Sequence, residues 1–381
     1  MSISPYELFL VLVIGHCISL IFAIQFIPKK HTEANRVMQY LLIIYSVFLF
    51  ERVIISELET DFYYTYRYLT NVLYLLLGPF TYTYIRRLLF YKNGNYTLKY
   101  VHYLPAALYF IYCLFHIYNY NFIKDISSYA FKFLFFNDLV FFVSISAYLI
   151  KSYALLNFYD KNEKQELSFN QPIIKFIKVM LICLSVYMVF WVLGILERFV
   201  IDLWIDIALI YDISCLILGI QIYVVGFYSL KHPGIFKIQF PTNPEDKPEK
   251  RIRLDENEIS KIQSLVNTFF EENKGYRRPE LSLSILANEI DTTTNKLSWV
   301  LNNSYKKSFY ELVNGYRVKD FIDRITENEH KEFTLISIAF DVGFNSRSTF
   351  YKVFKEMTEF TPTEYIKNIE NGFKDKNITM N

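Results

Sequence analysis

The side chains best suited to do chemistry lie together in a short stretch near the end of the chain. Outward positions of a helix predicted after Asn345 carry hydroxyl, guanidinium and ammonium groups, namely Ser346, Arg347, Ser348, Thr349, Tyr351, Lys352 and Lys355. Arginine and hydroxyl groups can hydrogen-bond base edges in a DNA groove, and lysines bind phosphates. Phe350, Val353 and Phe354 recur with helical spacing on the other face. The pattern predicts a helix that packs on one side and contacts nucleic acid with the other.

A weaker set of the same kind lies upstream, on a helix predicted over 296–302. Its outward residues are Asn295, Lys296, Ser298 and Trp299, which include a single cation. Each set follows a shorter apolar helix and a turn, the arrangement of a helix-turn-helix motif. Two such motifs can place their second helices in successive major grooves, about 34 Å apart, on one face of double-stranded DNA. The formal net charge of +2 is uninformative, but the C-terminal part alone is roughly neutral to slightly acidic, which argues against a surface that coats nucleic acid in general.

Elements that must position these residues can be read from apolar spacing and from capping residues. A first amphipathic helix is predicted from Glu256, and a longer connecting helix over 308–325. Thr334 and Ser346 (or Asn345) are predicted helix caps, and Gly343 is predicted in a turn that needs positive φ. A last short helix is expected after Thr361-Pro362.

Residues 260–368 resemble the AraC/XylS-type DNA-binding domain. The matching strings are Leu283–Ala287, Asn314–Arg317, Ile338–Ser346, Thr349–Lys355 and Thr361–Tyr365. The resemblance implies sequence-specific regulation of transcription, with promoter DNA as the partner; it does not imply a ligand. Thr292-Thr293-Thr294 departs from the single small cap that is more usual there.

The first 230 residues have the composition of membrane helices. They are rich in Leu, Ile, Phe and Tyr and poor in charge, in a chain that is 52% hydrophobic and 19% aromatic overall. A bilayer span needs about 20 mostly apolar residues. Seven candidates are predicted, at 6–27, 35–56, 66–90, 100–118, 131–153, 172–198 and 203–229. Together with the exit sequence Gly226–Pro233, they resemble membrane-embedded AraC-type regulators of Bacteroidetes-like bacteria.

The charge of the predicted loops orients these spans. The first, third and fifth loops carry lysine and arginine, whereas the second, fourth and sixth are acidic or mixed. Positive loops stay in the cytoplasm. The prediction is therefore a multi-pass protein of the bacterial inner membrane, with its N-terminus outside and its DNA-binding domain in the cytoplasm.

Ionisable residues in or beside the spans are the candidates for sensing, because such residues are costly in a bilayer. They are Glu51, Asp138, Glu197, Arg198, Asp206 and Asp212. Most fall toward the predicted outer side, where a polar pocket could take a small molecule or a peptide. The alternative is that Glu51 and Arg52, and likewise Glu197 and Arg198, satisfy each other's charge at the membrane interface and that the aspartates are hydrated. Asp212 lies deepest in its span and is the strongest single candidate.

The prediction is thus an all-α chain, a seven-helix transmembrane bundle followed by a soluble tandem helix-turn-helix domain. The domains are 1–230, a Pro-rich charged linker at 231–255, the DNA-binding domain at 256–370 and a polar tail at 371–381. The prolines of the linker favour an extended tether.

No sequence pattern indicates an enzyme. There is no Gly-rich phosphate loop, no HExxH, and no nucleophile with a placed base, and the four cysteines are scattered singly. We therefore expect no catalytic residue, metal or cofactor, and a regulator that couples an outside or membrane signal to promoter binding. Two alternatives stay open, a constitutive membrane-anchored factor and a transporter or membrane enzyme with a DNA-binding tail. Homodimer formation and the sign of regulation also stay open.

Overall fold

The computed structural model describes residues 4–26, 32–54, 60–90, 96–119, 127–169, 171–199, 206–231 and 254–370. Across these ranges the regular structure is helical, apart from one isolated β-bridge between Leu167 and Ser282. The all-α prediction is confirmed for this part of the chain. The predicted linker and polar tail lie almost wholly outside the described residues.

The chain divides into two compact units, one formed by 1–158 with 172–246 and the other by 159–171 with 247–381. We call them the N-terminal and the C-terminal unit. The sequence-based division places 159–171 with the N-terminal helices, whereas in the structure this short segment belongs to the C-terminal unit.

The N-terminal unit is built from long helices that each overlap one predicted span, although the end of the fifth helix, from residue 159, belongs to the C-terminal unit. They are α1 (Pro5–Gln25), α2 (Thr32–Ile54), α3 (Thr60–Leu89), α4 (Leu104–Asn119), α5 (Ser127–Glu166), α6 (Pro172–Phe199) and α7 (Ile207–Lys231). Among the described residues, α1, α2, α5, α6 and α7 contain stretches long and apolar enough to cross a membrane. Helix α4 is apolar but shorter, and in the sequence of α3 the apolar residues are mixed with Tyr, Thr and Arg. The count of seven spans stays a prediction.

The C-terminal unit carries the shorter amphipathic helices. They are α8 (Glu256–Asn267), α9 (Leu283–Glu289), α10 (Thr294–Val300), α11 (Phe309–Thr326), α12 (Leu335–Asp341), α13 (Arg347–Thr358) and α14 (Pro362–Glu370). Helices α9 and α10 form the first helix-turn-helix motif, and α12 and α13 form the second.

Hydroxyl side chains begin six of these helices. Each accepts a hydrogen bond from the backbone N–H three residues later, which satisfies a donor that the first turn leaves open; they are Ser282, Thr293, Ser308, Thr334, Ser346 and Thr361. The predictions for Thr334 and Ser346 are confirmed. Helix α10 begins at Thr294, two residues before the predicted start, because the cap is Thr293 rather than a later residue.

Two hydrophobic cores fill the C-terminal unit, and α11 contributes to both. Leu312 and Val313 pack in the first core with α8, α9 and α10, whereas Phe321 and Ile325 pack in the second with α12 and α13. A single helix therefore holds the two motifs apart at a fixed spacing.

Gly343 forms the turn between α12 and α13. Its φ of +105° is one that L side chains rarely adopt, and a Cβ there would lie 2.6 Å from the Tyr276 carbonyl oxygen. Changing Gly343→Ala should destabilise the second motif by about 1–3 kcal/mol. Hydrogen exchange of the α12 and α13 amides in the purified full chain measures this. Gly15→Ala, where a Cβ meets open space, is the control; equal exchange in both variants would contradict the prediction.

An ion pair ties α11 to the segment before α9. Arg277 donates from Nε and Nη2 to the two carboxylate oxygens of Asp320, at 2.7 and 2.9 Å, and the Tyr276 hydroxyl donates to Asp320 at 3.0 Å. Burial raises the pKa of Asp320, but the hydrogen bonds from Arg277 and Tyr276 outweigh it and hold the pKa below its usual value. The charged form is therefore the one that stabilises this contact.

Since the pKa of Asp320 is lower in the folded chain than in the unfolded chain, its contribution to stability is present above about pH 4 and is lost as the pH falls through the folded value. Asp320→Asn should lower the free energy of unfolding of the C-terminal unit by about 2 kcal/mol at neutral pH. Its deficit relative to the native chain should shrink below about pH 4. The free energy of unfolding of both chains, measured by hydrogen exchange from neutral pH to below about pH 4, tests this prediction. Asp341→Asn, at an exposed position, is the matched control, and a deficit that stays constant with pH would refute the assignment.

Candidate nucleic-acid interface

Helix α13 presents most of its predicted contact residues to solvent. Arg347, Ser348, Lys352 and Lys355 are exposed, while Ser346 and Tyr351 are partly exposed. The opposite face is buried in the second core by Phe350, Val353 and Phe354. The helix therefore has one packing face and one polar, cationic face, as its sequence predicts.

Thr349 departs from this arrangement. It was expected on the outward face, but it is only 6% exposed. The Ser346 hydroxyl donates to Thr349 Oγ1 at 2.7 Å while accepting from the Thr349 backbone N–H at 3.1 Å. The prediction that Thr349 faces outward is wrong, because the first turn folds this side chain beneath its own cap.

The cations of α13 are positioned differently from one another. The Arg347 guanidinium lies 5.4 Å from the centre of the Tyr351 ring, one turn along the helix. This contact orients the guanidinium without using its N–H donors. Lys352 Nζ lies 3.8 Å from a carboxylate oxygen of Glu356. Arg347 is thus the side chain best prepared to hydrogen-bond a base edge, and Lys352 is partly neutralised.

Helix α10 offers less positive charge. Lys296 Nζ donates to Glu258 of α8 at 2.7 Å. Trp299 packs partly buried against the first core, and Ser298 accepts from the Asn302 amide at 3.3 Å. Asn295 is exposed near the start of the helix. Each of the four predicted residues therefore has an interaction within the protein, and α10 has little free positive charge to attract phosphates.

The turns of the two motifs each contain a residue with positive φ, but the residue types differ. In the second motif Gly343 stands two residues after α12, and in the first motif Asp291 stands two residues after α9 with φ of +52°. Aspartate tolerates this left-handed region better than most residues. The sequence assigned 291–295 to a turn but did not identify Asp291 as its left-handed position, since only glycine signals that need clearly.

Of the predicted sensing residues, the structure brings Asp212 into a polar cluster of the N-terminal unit. Arg52 of α2 donates from Nε to Asp212 Oδ1 of α7 at 2.6 Å, and the Tyr6 hydroxyl of α1 donates to the Asp212 carbonyl oxygen at 3.4 Å. Arg52 thus binds a carboxylate on another helix. The cluster joins three helices.

The structure places the remaining candidates at several points of the N-terminal unit. Glu51 accepts from the Thr70 hydroxyl at 3.2 Å, and Asp138 is buried within α5. Asp206 is exposed and accepts from the Ala208 N–H, which begins α7. Glu197 is half-buried near the end of α6, and the side chain of Arg198 lies outside the described residues.

A cavity that the sequence did not reveal also lies in the N-terminal unit. Its volume is about 470 Å³, and its lining is mainly aromatic and basic, formed by Tyr82, Arg86, Tyr96, Leu98, His102, Tyr148, Lys151, Ala154, Leu155 and Phe158. Arg86 stacks on the Tyr96 ring at 3.8 Å. None of the predicted sensing residues whose side chains the structure describes lines this cavity, because the rarity of a charge within a span carries no information on which residues lie close together.

Within the described residues, no group of three or more His, Cys, Asp or Glu side chains could hold a metal ion. The polar face of α13 therefore remains the most chemically distinctive surface of the C-terminal unit.

Comparison with known proteins agrees with the geometry of that unit. A family model described as a helix-turn-helix domain matches residues 286–368, a range that runs from within α9 to within α14. No curated protein and no solved structure matches the chain. Residues 286–368 therefore match a helix-turn-helix domain of the AraC type, which supports a DNA-binding regulator of transcription.

Proposed function

We propose that this chain is a membrane-embedded transcription regulator that binds promoter DNA with α13 and α10 and couples that binding to a signal received by its membrane helices. The observation that carries the proposal is the presence of two capped, solvent-facing reading helices on the same polypeptide as five helices able to cross a bilayer. The enzyme and transporter alternative has no comparable support.

Outward-facing apolar side chains support membrane embedding. Leu12 and Phe22 of α1 are each 59% exposed, and Ile111 of α4 and Val189 of α6 are comparably exposed. Long helices that are apolar on their outer as well as their inner faces suit a lipid solvent better than water. Loop charges favour a cytoplasmic C-terminal unit, since the lysines and arginines are concentrated in the odd-numbered loops.

For DNA binding we propose that α13 is the principal reading helix. Its exposed Arg347 suits a bidentate contact to guanine, and Lys355 suits a phosphate. Helix α10 adds mainly neutral contacts from Asn295 and Ser298. The rigid connection through α11 then fixes the distance between α10 and α13, so that the two helices can enter successive grooves.

For signal input we propose the polar cluster of Tyr6, Arg52 and Asp212. An ion pair inside an apolar helix bundle has two states, paired or opened by a competing polar ligand, and opening it frees α2 from α7. A small molecule or peptide could do this from outside, and association of two chains could respond to it. The rival is a constitutive anchored factor, in which this cluster is only structural.

Arg347→Ala should weaken binding to the promoter fragment upstream of the chain's own gene by about 1–3 kcal/mol and reduce discrimination against unrelated DNA. Lys355→Ala should instead weaken binding to all fragments and lower the dependence of log K on log salt by about one unit. Fluorescence anisotropy with the full chain in lipid nanodiscs, at several salt concentrations, separates the two effects. Lys319→Ala, exposed on α11, is the control; equal losses from all three changes would rule out α13 as the reading helix.

Asp212→Asn should change reporter transcription from a target promoter, because Arg52 loses its charged partner and the contact between α2 and α7 weakens. The change should be severalfold, in line with about 1–3 kcal/mol of coupling. Asp206→Asn, at the exposed start of α7, serves as the control. The reporter is compared at equal amounts of chain in the membrane fraction. Unchanged output in every growth condition would favour the constitutive anchor.

A further inference from the structure

The described residues of the short connection between α5 and α6 are buried. We call these residues, 167–169 and 171, the α5–α6 link. Leu167, Ser168 and Phe169 are 3%, 0% and 7% exposed. Loops between helices normally run over the surface, because water satisfies their backbone groups. A buried serine here needs protein partners for its backbone and its hydroxyl.

These partners come from the segment just before the first helix-turn-helix motif. Leu167 forms the single antiparallel β-bridge of the described chain with Ser282. Ser168 donates to the Leu281 carbonyl oxygen twice, from its backbone N–H at 3.3 Å and from its hydroxyl at 2.7 Å. Ser282 also caps α9. The link therefore pairs with the residues that begin the first motif.

Arg317 of α11 binds the other side of the link. It is 1% exposed, and its guanidinium donates to Ser168 O at 3.1 Å, Ser168 Oγ at 3.2 Å, Tyr276 O at 2.8 Å, Arg278 O at 2.8 Å and Asn314 Oδ1 at 3.2 Å. The Asn314 amide donates to Ser168 O as well, at 3.1 Å. Burial lowers the pKa of Arg317 to about 9, so the side chain is still charged at neutral pH.

All five of these acceptors are neutral, and Ser168 supplies two of them. A buried cation is tolerated only when its N–H donors are satisfied. Without the link, two N–H donors of the guanidinium would lose their protein acceptors. The domain that contains the family match is consequently incomplete when it is cut at the predicted linker.

The end of α5 holds the link in shape. Glu163, which is 1% exposed, accepts from the Gln171 N–H at 2.7 Å through its carboxylate, and from the Leu167 N–H at 2.7 Å through its carbonyl oxygen. The link is thus short, internally braced and covalently joined to a long apolar helix at each end.

We infer that the α5–α6 link is a docked component of the DNA-binding unit and the route by which α5 and α6 act on it. A shift of either helix end moves Ser168, and Ser168 contacts both the start of the first motif and the helix that spaces the two motifs. The regulatory part rests on the proposed function, whereas the docking itself does not.

Disulfide trapping in the full chain tests the docking. Leu167→Cys and Ser282→Cys are combined in a chain that carries a protease site within 241–248. Residues directly opposite in an antiparallel bridge have the spacing that a disulfide requires. After oxidation and cleavage, the two halves should stay together on a denaturing gel until a reductant is added. The pair Leu167→Cys with Ser348→Cys is the control, and cross-linking no greater than in this control would overturn the docking.

Ser168→Pro tests the coupling, because it removes both the N–H and the hydroxyl that bind Leu281. Promoter affinity of the full chain in nanodiscs should fall by about fivefold or more, with a smaller loss for Ser168→Ala and none for the exposed Ser304→Ala. Hydrogen exchange of α12 and α13 should stay at the native level, which separates this effect from unfolding. Native affinity in Ser168→Pro would overturn the coupling. Failure of the proposed function would instead show as absence of promoter binding in the unmodified chain, which leaves the cross-linking result intact.

Discussion

The buried guanidinium of Arg317 is the constraint on which the C-terminal unit depends. Its donors can be satisfied only if carbonyl oxygens converge on it from Tyr276, Arg278 and Ser168. That requirement fixes the segment before α9 against α11, and the neighbouring ion pair of Arg277 with Asp320 reinforces the same junction. The position of the first motif relative to the second follows from this junction, because α11 carries both cores.

Charge is distributed unevenly over the two reading helices, with consequences for how DNA would be read. Helix α13 keeps an oriented arginine and an exposed Lys355, whereas the single lysine of α10 is paired with Glu258. Attraction to phosphates therefore comes mainly from the second motif. The first motif adds hydrogen bonds whose strength depends on the position of α10. The α5–α6 link contacts the residues that begin this motif. A regulator built in this way would bind DNA mainly through the second motif and be adjusted through the first.

Much of the helical structure could be predicted from sequence because it depends on neighbours along the chain. Apolar spacing, the hydroxyl caps at Thr334 and Ser346, and the glycine at the turn are all local signals. Thr349 was misplaced because its burial depends on a side-chain hydrogen bond in the first turn. The partners of Asp212 and Ser168 lie 160 and 113 residues away along the chain. No periodicity reports such pairs, and Leu167-Ser168-Phe169 reads as an ordinary apolar loop. The number of spans also stayed open, since α3 mixes apolar and polar residues along its whole length.

In the proposed function, one polypeptide is inserted in the membrane and binds promoter DNA there. Inside-out membrane vesicles from cells that produce the full chain test this directly, after an alkaline carbonate wash that removes peripheral proteins. We expect the chain to stay in the vesicles and the vesicles to retain labelled promoter DNA in excess of unrelated DNA of equal length. Release of the chain into the wash, or equal retention of the two DNAs, would contradict it.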